Sequence, residues 1–403
     1  MHEFSYLSHL ECSRCGHTYE ASKRRQVCEH CQAPLLARYD LEGLKQVLSR
    51  DEWDNRKEGF WRYHELLPVQ DPAYIVSMNE PMTPIISLDA TAKSMGLSTL
   101  YAKDEGVLPS GSFKARGASV GISRAKELGV TALAIPTNGN AGSAWALYSA
   151  RAGIEATIVM PNDAPKTPQK ECLIAGANVF VVDGTIADAG KVVQQEVQER
   201  GVYDVSTLKE PYRLEGKKTM GFEIAQQFGW SVPDVIVYPT GGGAGVIGIY
   251  KALCELQELG FIGDKLPRMA IVQAEGCAPL VRAFDSAQPE SYLWENPHTI
   301  AFGMRVPKAL GDFMILDVLQ KTNGIAITVS DDQIQQWRIE VAQKEGFHVC
   351  PEGAAGLAGV KKLADLGWIK PNETVLAMNT GSGLKYIDQI VGTPIERTLH
   401  AFS

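Results

Sequence analysis

Seven short runs of β-branched and apolar residues, Thr99–Lys103, Ala132–Ile135, Ala156–Met160, Val179–Val182, Val235–Tyr238, Met269–Gln273 and Thr374–Met378, alternate with stretches of helical spacing. Runs of this kind read as strands, and strand-helix alternation calls for right-handed crossovers and mainly parallel sheets. The expected class is α/β, with two open, mainly parallel twisted sheets and helices on both faces. Residues 131–206 carry several of these strand-like runs with helices between them, enough for a small α/β domain. Residues 51–130 and 207–403 then form a larger domain around it. Between Asp51 and Asp71, Trp53, Phe60, Trp61 and Tyr63 predict a linking helix against the main body. No internal repeat and no low-complexity tract interrupts this pattern.

The first fifty residues follow a different logic. Cys12-Ser-Arg-Cys15 and Cys28-Glu-His-Cys31 each place two thiolates on one tight turn, and two such turns close a tetrahedron around zinc. Residues 1–50 therefore read as a zinc-ribbon-like module with a structural metal, because four thiolates leave no open position for catalysis. The other reading is the same module without metal. His17 and His30 flank the turns without being needed as ligands, and Cys172, Cys254, Cys277 and Cys350 lie in apolar contexts that suit core packing. The start has neither a basic flank nor an apolar run of signal-peptide length, and no stretch reaches membrane-span length, so a cytoplasmic protein without membrane contact is expected.

Of the 403 residues, 39 are Lys or Arg and 47 are Asp or Glu, a net charge of −8. Bulk electrostatics thus gives no reason to bind nucleic acid, and an anionic ligand must be held by a local site. Four segments at strand-to-helix junctions offer such sites. Pro109-Ser-Gly-Ser-Phe-Lys114-Ala-Arg-Gly117 puts a lysine at a helix start, where the dipole disfavours its ammonium form. Pro239-Thr-Gly241-Gly242-Gly243-Ala244-Gly245 leads from a strand into a helix and lets backbone N–H groups converge on one phosphate, without the lysine and serine of a nucleotide P-loop. Thr137-Asn138-Gly139-Asn140 either caps a helix or presents amides and a hydroxyl to a ligand. Asn379-Thr380-Gly381-Ser382 ends the last strand with two hydroxyls.

In this order, together with the N-terminal cysteines and Tyr212-Arg213-Leu-Glu-Gly-Lys-Lys-Thr219, these segments resemble the fold-type II pyridoxal-phosphate enzymes, and most closely the threonine synthase family. The resemblance implies a tryptophan synthase β-like fold and pyridoxal 5′-phosphate as cofactor. It makes Lys114 the Schiff-base lysine, Asn140 the contact to the cofactor's ring oxygen, Gly241, Gly242, Gly243, Ala244 and Gly245 the phosphate loop, and Thr380 the hydroxyl facing the pyridine nitrogen. Thr137, Asn138 and Arg213 fall to the substrate, with Arg213 on its phosphate, and a homodimer is implied. A second reading of Arg213 is an ion pair with Glu210 or Glu215. The implied reaction turns O-phospho-L-homoserine and water into L-threonine and phosphate.

On the substrate side the chain departs from the pattern. It reads Thr137-Asn138-Gly139-Asn140-Ala141 for Ser-Thr-Gly-Asn-Thr, Ser206-Thr207-Leu208-Lys209-Glu210-Pro211 for Asn-Ser-x-Asn-Pro, and Pro351-Glu352-Gly353-Ala354-Ala355 for Pro-Ala-Ser-Ala-Ala, while Ala115 replaces an aspartate after the lysine. A second function therefore stands beside the first: another fold-type II lyase, dehydratase or β-replacement synthase acting on a related hydroxy- or phospho-amino acid. A third, a nucleic-acid or partner-binding module on an inactive scaffold, conflicts with the acidic balance and the retained Lys114.

Overall fold

The strand runs assemble as their apolar character requires. In the computed structural model, which describes residues 3–57 and 59–390, thirteen strands form three sheets. The first is antiparallel and small, made of β1 (Leu7–Cys12), β2 (Thr18–Glu20) and β3 (Leu35–Tyr39) in the order β2-β1-β3. The largest joins β4 (Ile85–Ser87) and β5 (Thr99–Asp104) to four strands from later in the chain. Between these lie β6 (Ala132–Pro136), β7 (Glu155–Pro161), β8 (Asn178–Val182) and β9 (Tyr203–Asp204), which form a separate parallel sheet in the order β8-β7-β6-β9. The large sheet is completed by β10 (Val235–Pro239), β11 (Arg268–Ala274), β12 (Ile325–Val329) and β13 (Thr374–Asn379), in the order β12-β11-β10-β13-β5-β4, with only β4 antiparallel to its neighbour.

Both faces of these sheets are covered. Along β10, Ile236 and Tyr238 enter one hydrophobic core while Val235 and Val237 enter another; along β6, Leu133 and Ile135 face one side and Ala134 the other. This period of two with apolar residues on both sides is the signature of a parallel sheet between helix layers. Five helices matter for the site: α1 (Lys114–Glu127), α2 (Asn140–Ala152), α3 (Arg213–Gln227), α4 (Ala244–Glu258) and α5 (Pro351–Asp365). Helix α1 lies at the seam, since Ala115, Ala118, Ile122 and Ala125 pack into the core under the small sheet although β5 before it belongs to the large one. The small antiparallel sheet shares the core of the large sheet's opposite face through Leu7, Leu10, Leu35 and Ala37.

The expected linking helix is instead two short pieces, Arg50–Asp54 and the 3₁₀ turn Phe60–Leu66, with Gly59 at φ +111° between them. Their aromatics do pack on the main body: Trp53 is fully buried and meets Tyr63, Phe222, Trp230 and Phe261 at ring-centroid distances of 4.8 to 6.1 Å. The expected spans of the outer domains also include residues 1, 2, 58 and 391–403, which lie outside the described residues.

A charge network absent from the sequence reading fixes α1. The Arg116 guanidinium donates to both carboxylate oxygens of Glu105 at 2.7 and 2.9 Å and of Glu223 at 2.6 and 2.7 Å, and Lys103 reaches Glu223 at 2.9 Å. All four side chains are wholly buried. A buried guanidinium is tolerated only with its fork satisfied this fully.

Candidate active site

Parallel strands collect loops at their C-terminal ends, and four such ends converge here. Thr137 to Asn140 follow β6, Gly241 to Gly245 follow β10, Thr380 follows β13, and the loop after β5 leads to Lys114. All the residues expected to bind cofactor or substrate, Lys114, Thr137, Asn138, Asn140, Arg213, Gly241, Gly242, Gly243, Ala244, Gly245 and Thr380, line a single cavity of about 320 Å³. The Lys114 segment is tied to the Thr380 turn by backbone bonds: Phe113 N–H donates to Thr380 O at 3.0 Å and Ser382 N–H to Gly111 O at 2.8 Å.

Lys114 opens α1, deep in the protein, and meets water only through the cavity. Its Nζ sits 3.9 Å from the centroid of the Phe113 ring and makes no ion pair among the described residues. Burial brings its pKa down to about 7, the Arg213 guanidinium pushes the same way, and Glu352 opposes. A large fraction of the amine is therefore neutral and nucleophilic at physiological pH.

Three glycines of the loop, Gly241, Gly243 and Gly245, leave no room for a Cβ. A Cβ on Gly243, whose φ is +74°, would lie 2.0 Å from Ile315 Cδ1, one on Gly245 1.9 Å from Tyr238 Oη, and one on Gly241 2.6 Å from the Gly303 carbonyl oxygen. Helix α4 begins at Ala244, so its first N–H groups lack intrahelical acceptors and face the cavity end of β10.

The structure does not form the ion pair offered as the second reading of Arg213. Glu210 spends its carboxylate on the backbone N–H groups of Tyr212 and Arg213, at 3.0 and 2.6 Å, and Glu215 pairs with Lys218 and Lys251 at 2.7 and 2.9 Å. The guanidinium makes no ion pair among the described residues; Nη1 donates to the Val205 carbonyl oxygen and the buried Nε has no partner. Burial brings its pKa down to about 10, so it remains a cation at neutral pH. Lys217, one turn along α3, is a second buried basic group with no acid partner among the described residues; its Nζ donates to Phe113 O at 2.6 Å, and burial together with Lys114 and Arg213 holds its pKa well below the ordinary lysine value. Arg213 thus gives the cavity a fixed positive charge beside two amines that burial pushes toward the neutral form.

Thr137 and Asn138 serve the loop as well as the cavity. The Thr137 hydroxyl accepts from Gly139 N–H and Gly142 N–H at 3.0 and 3.1 Å, which leaves its own proton to donate. Asn138 Nδ2 donates to the carbonyl oxygens of Phe302 and Arg305 at 3.2 and 2.8 Å, and its buried Oδ1 is unpartnered. Asn140 Nδ2 donates to Tyr386 Oη at 2.8 Å and its Oδ1 is likewise orphaned. Thr380 Oγ1 has only the Cys350 thiol beside it, at 3.7 Å.

Sequence reasoning passed over Lys217, Glu352 and Tyr386. A signal existed for two of them: Glu352 is the one charge in the small-residue run from Pro351 to Gly356, and Lys217 sits in the same motif as Arg213. The cavity fits a phosphorylated pyridine aldehyde. It has an amine with no ion-pair partner among the described residues, a backbone cradle closed to a Cβ at Gly241, Gly243 and Gly245, and orphaned amide oxygens.

The four cysteines meet as the spacing requires. Cys12 and Cys31 Sγ lie 3.4 Å apart, Cys15 and Cys28 3.6 Å, and Cys31 and Cys15 3.7 Å, with all four sulfurs within 4.8 Å of one another. Metal–sulfur bonds of about 2.3 Å give a tetrahedron with edges of about 3.8 Å, so the set could hold zinc.

The model of the pyridoxal-phosphate-dependent enzyme family matches residues 76–381. The chain is 36% identical to the threonine synthase of Methanocaldococcus jannaschii over 381 residues, covering 94% of this chain and 93% of that one, and 36% identical to the threonine synthase of Methanosarcina acetivorans over 394 residues, covering 98% and 96%. Among solved structures, maize serine racemase superposes with a TM-score of 0.63 at 23% identity over 75% of this chain and 88% of that one. A fungal L-serine ammonia-lyase from Rhizomucor miehei gives 0.65 at 19% over 77% and 97%, a likeness of fold. By this evidence the chain belongs to the pyridoxal-phosphate-dependent enzymes and, within them, to the threonine synthase family.

Proposed function

We propose that the protein converts O-phospho-L-homoserine and water into L-threonine and phosphate. The observation that carries this is the pairing, in one cavity, of the glycine cradle with a buried Arg213 that has no acid of its own: two separate places for a phosphate around one reactive amine. The full-length relatives that bear the name threonine synthase support it.

When bound, pyridoxal phosphate supplies the electron sink that stabilises carbanion charge on the substrate. Lys114, Asn140, Gly241 to Gly245 and Thr380 would hold it. Thr380 offers the ring nitrogen a neutral hydroxyl instead of a carboxylate, which tempers charge delocalisation and favours elimination over transamination. Lys114, as a neutral amine, takes the α-proton and returns protons on the same face. The Arg213 fork holds the substrate phosphate and stabilises it as it leaves. Thr137 has a proton to donate to the substrate carboxylate, and the unpartnered Asn138 Oδ1 offers an acceptor beside it. The same reading includes a cytoplasmic homodimer, a structural zinc on the four cysteines, and the division into 1–50, 51–130 with 207–403, and 131–206. Purified holoenzyme given O-phospho-L-homoserine is expected to release phosphate and threonine in equal amounts. Inertness toward it, with turnover of serine, threonine or phosphoserine to a keto acid or replacement product, would overturn the assignment.

A further inference from the structure

Glu352 stands where the sequence pattern expects a small residue, and the reaction as described makes no use of it. It lies in the first turn of α5, buried, with its carboxylate in the cavity wall. Oε1 accepts from the backbone N–H of Gly303 at 2.7 Å, so that oxygen is an acceptor. The Tyr386 hydroxyl lies 3.1 Å from the same oxygen and must therefore donate to it. Having spent its only proton, Tyr386 Oη can only accept from Asn140, which lies 2.8 Å away. Asn140 is thus compelled to turn its NH₂ toward Tyr386, leaving its unpartnered Oδ1 and one remaining N–H for the cavity. One acceptor fixes the direction of two hydrogen bonds and the orientation of an amide that has two nearly isosteric settings.

We propose that Glu352 is a positioning residue which, through Tyr386, sets the amide orientation that Asn140 presents to the bound cofactor's ring. The pair is built for this: Tyr386 is buried, with its phenol held in the protonated form by burial and by the neighbouring Glu352 carboxylate. The inference rests on the reading of the cavity as the cofactor site. It goes beyond that reading by assigning Asn140's orientation to a residue whose hydrogen bonds reach Asn140 through Tyr386.

The test uses purified wild-type holoenzyme beside Glu352→Ala, Glu352→Gln, Tyr386→Phe and the Glu352→Ala/Tyr386→Phe double variant. Its readouts are the ratio of the bound cofactor's two absorption bands and the cofactor dissociation constant. Loss of one directing hydrogen bond is expected to change the band ratio by about fivefold in Glu352→Ala and in Tyr386→Phe. The double variant changes it no further, because both members act on one pathway. Glu352→Gln keeps a carbonyl acceptor for Gly303 and Tyr386 and is expected to lie nearer the wild-type ratio than Glu352→Ala does. Should Glu352→Ala fail to fold, Tyr386→Phe, which removes one oxygen, still decides the matter. A band ratio unchanged in Tyr386→Phe, or a Glu352→Gln spectrum like that of Glu352→Ala, overturns the proposal, the latter by showing that charge alone matters. If the wild-type protein takes up no pyridoxal phosphate, the reading of the cavity fails first and the inference falls with it.

Discussion

The reactivity of Lys114 is the most quantitative consequence of the structure. An ordinary lysine, with a pKa of 10.5, is only about 0.1% neutral at pH 7.5. With its pKa brought down to about 7, Lys114 is about three-quarters neutral at that pH, a gain of about a thousandfold in the reactive form. The perturbation is pH itself, applied to cofactor-free protein mixed rapidly with an excess of pyridoxal phosphate while absorbance follows the reaction. Pyridoxal, which lacks the phosphate and its own titration, serves as the parallel probe. Below the amine's pKa the rate rises tenfold per pH unit because protons block the nucleophile. Above it the amine is free and the rate levels, so the break falls near pH 7. Replacing Arg213 by Met removes a cation that disfavours the ammonium form, so the break moves up; Glu352→Gln removes an anion that favours it, so the break moves down. A rate still climbing tenfold per unit through pH 9 would refute the burial argument.

Other consequences are simpler to read. Arg116→Leu strands Glu105 as an uncompensated buried charge, leaves Glu223 with Lys103 alone, and is expected to cost about 3–5 kcal/mol, seen as a lower midpoint in urea unfolding. Gly245→Ala drives a methyl into Tyr238 and weakens cofactor binding by about tenfold or more in a fluorescence titration, with little change in the metal content of the cysteine module. Elemental analysis is expected to find one zinc per chain, lost in Cys28→Ala. Stripping it with a chelator should lower thermal stability while the cofactor's absorption at the Lys114 cavity persists.

The parallel sheets were legible because buried strands leave a plain trace, a β-branched run bounded by glycine-rich turns, and the site was legible because its loops sit where such strands end. What escaped had physical reasons. Strand β12 carries the run Ile325–Val329, of the same character as its neighbours, and was passed over. The antiparallel strands β1 to β3 are short and half polar, masked by the cysteine turns that organise them. Gly59 at positive φ breaks the aromatic stretch into two pieces where spacing alone suggested one helix. The Arg116 network joins residues more than a hundred positions apart, and nothing local marks Glu223 as the partner of Lys103. For Arg213, the nearby Glu210 looked like a partner, but at three residues before a helix start its carboxylate serves the free backbone N–H groups instead.

Borohydride reduction of the coloured holoenzyme, followed by proteolysis and peptide mapping, fixes the cofactor to whichever lysine holds it. The account predicts a single pyridoxyl-labelled peptide containing Lys114, in near one-to-one yield, absent from Lys114→Ala. A label on Lys217 or on any other lysine, or no label from protein saturated with pyridoxal phosphate, would contradict it.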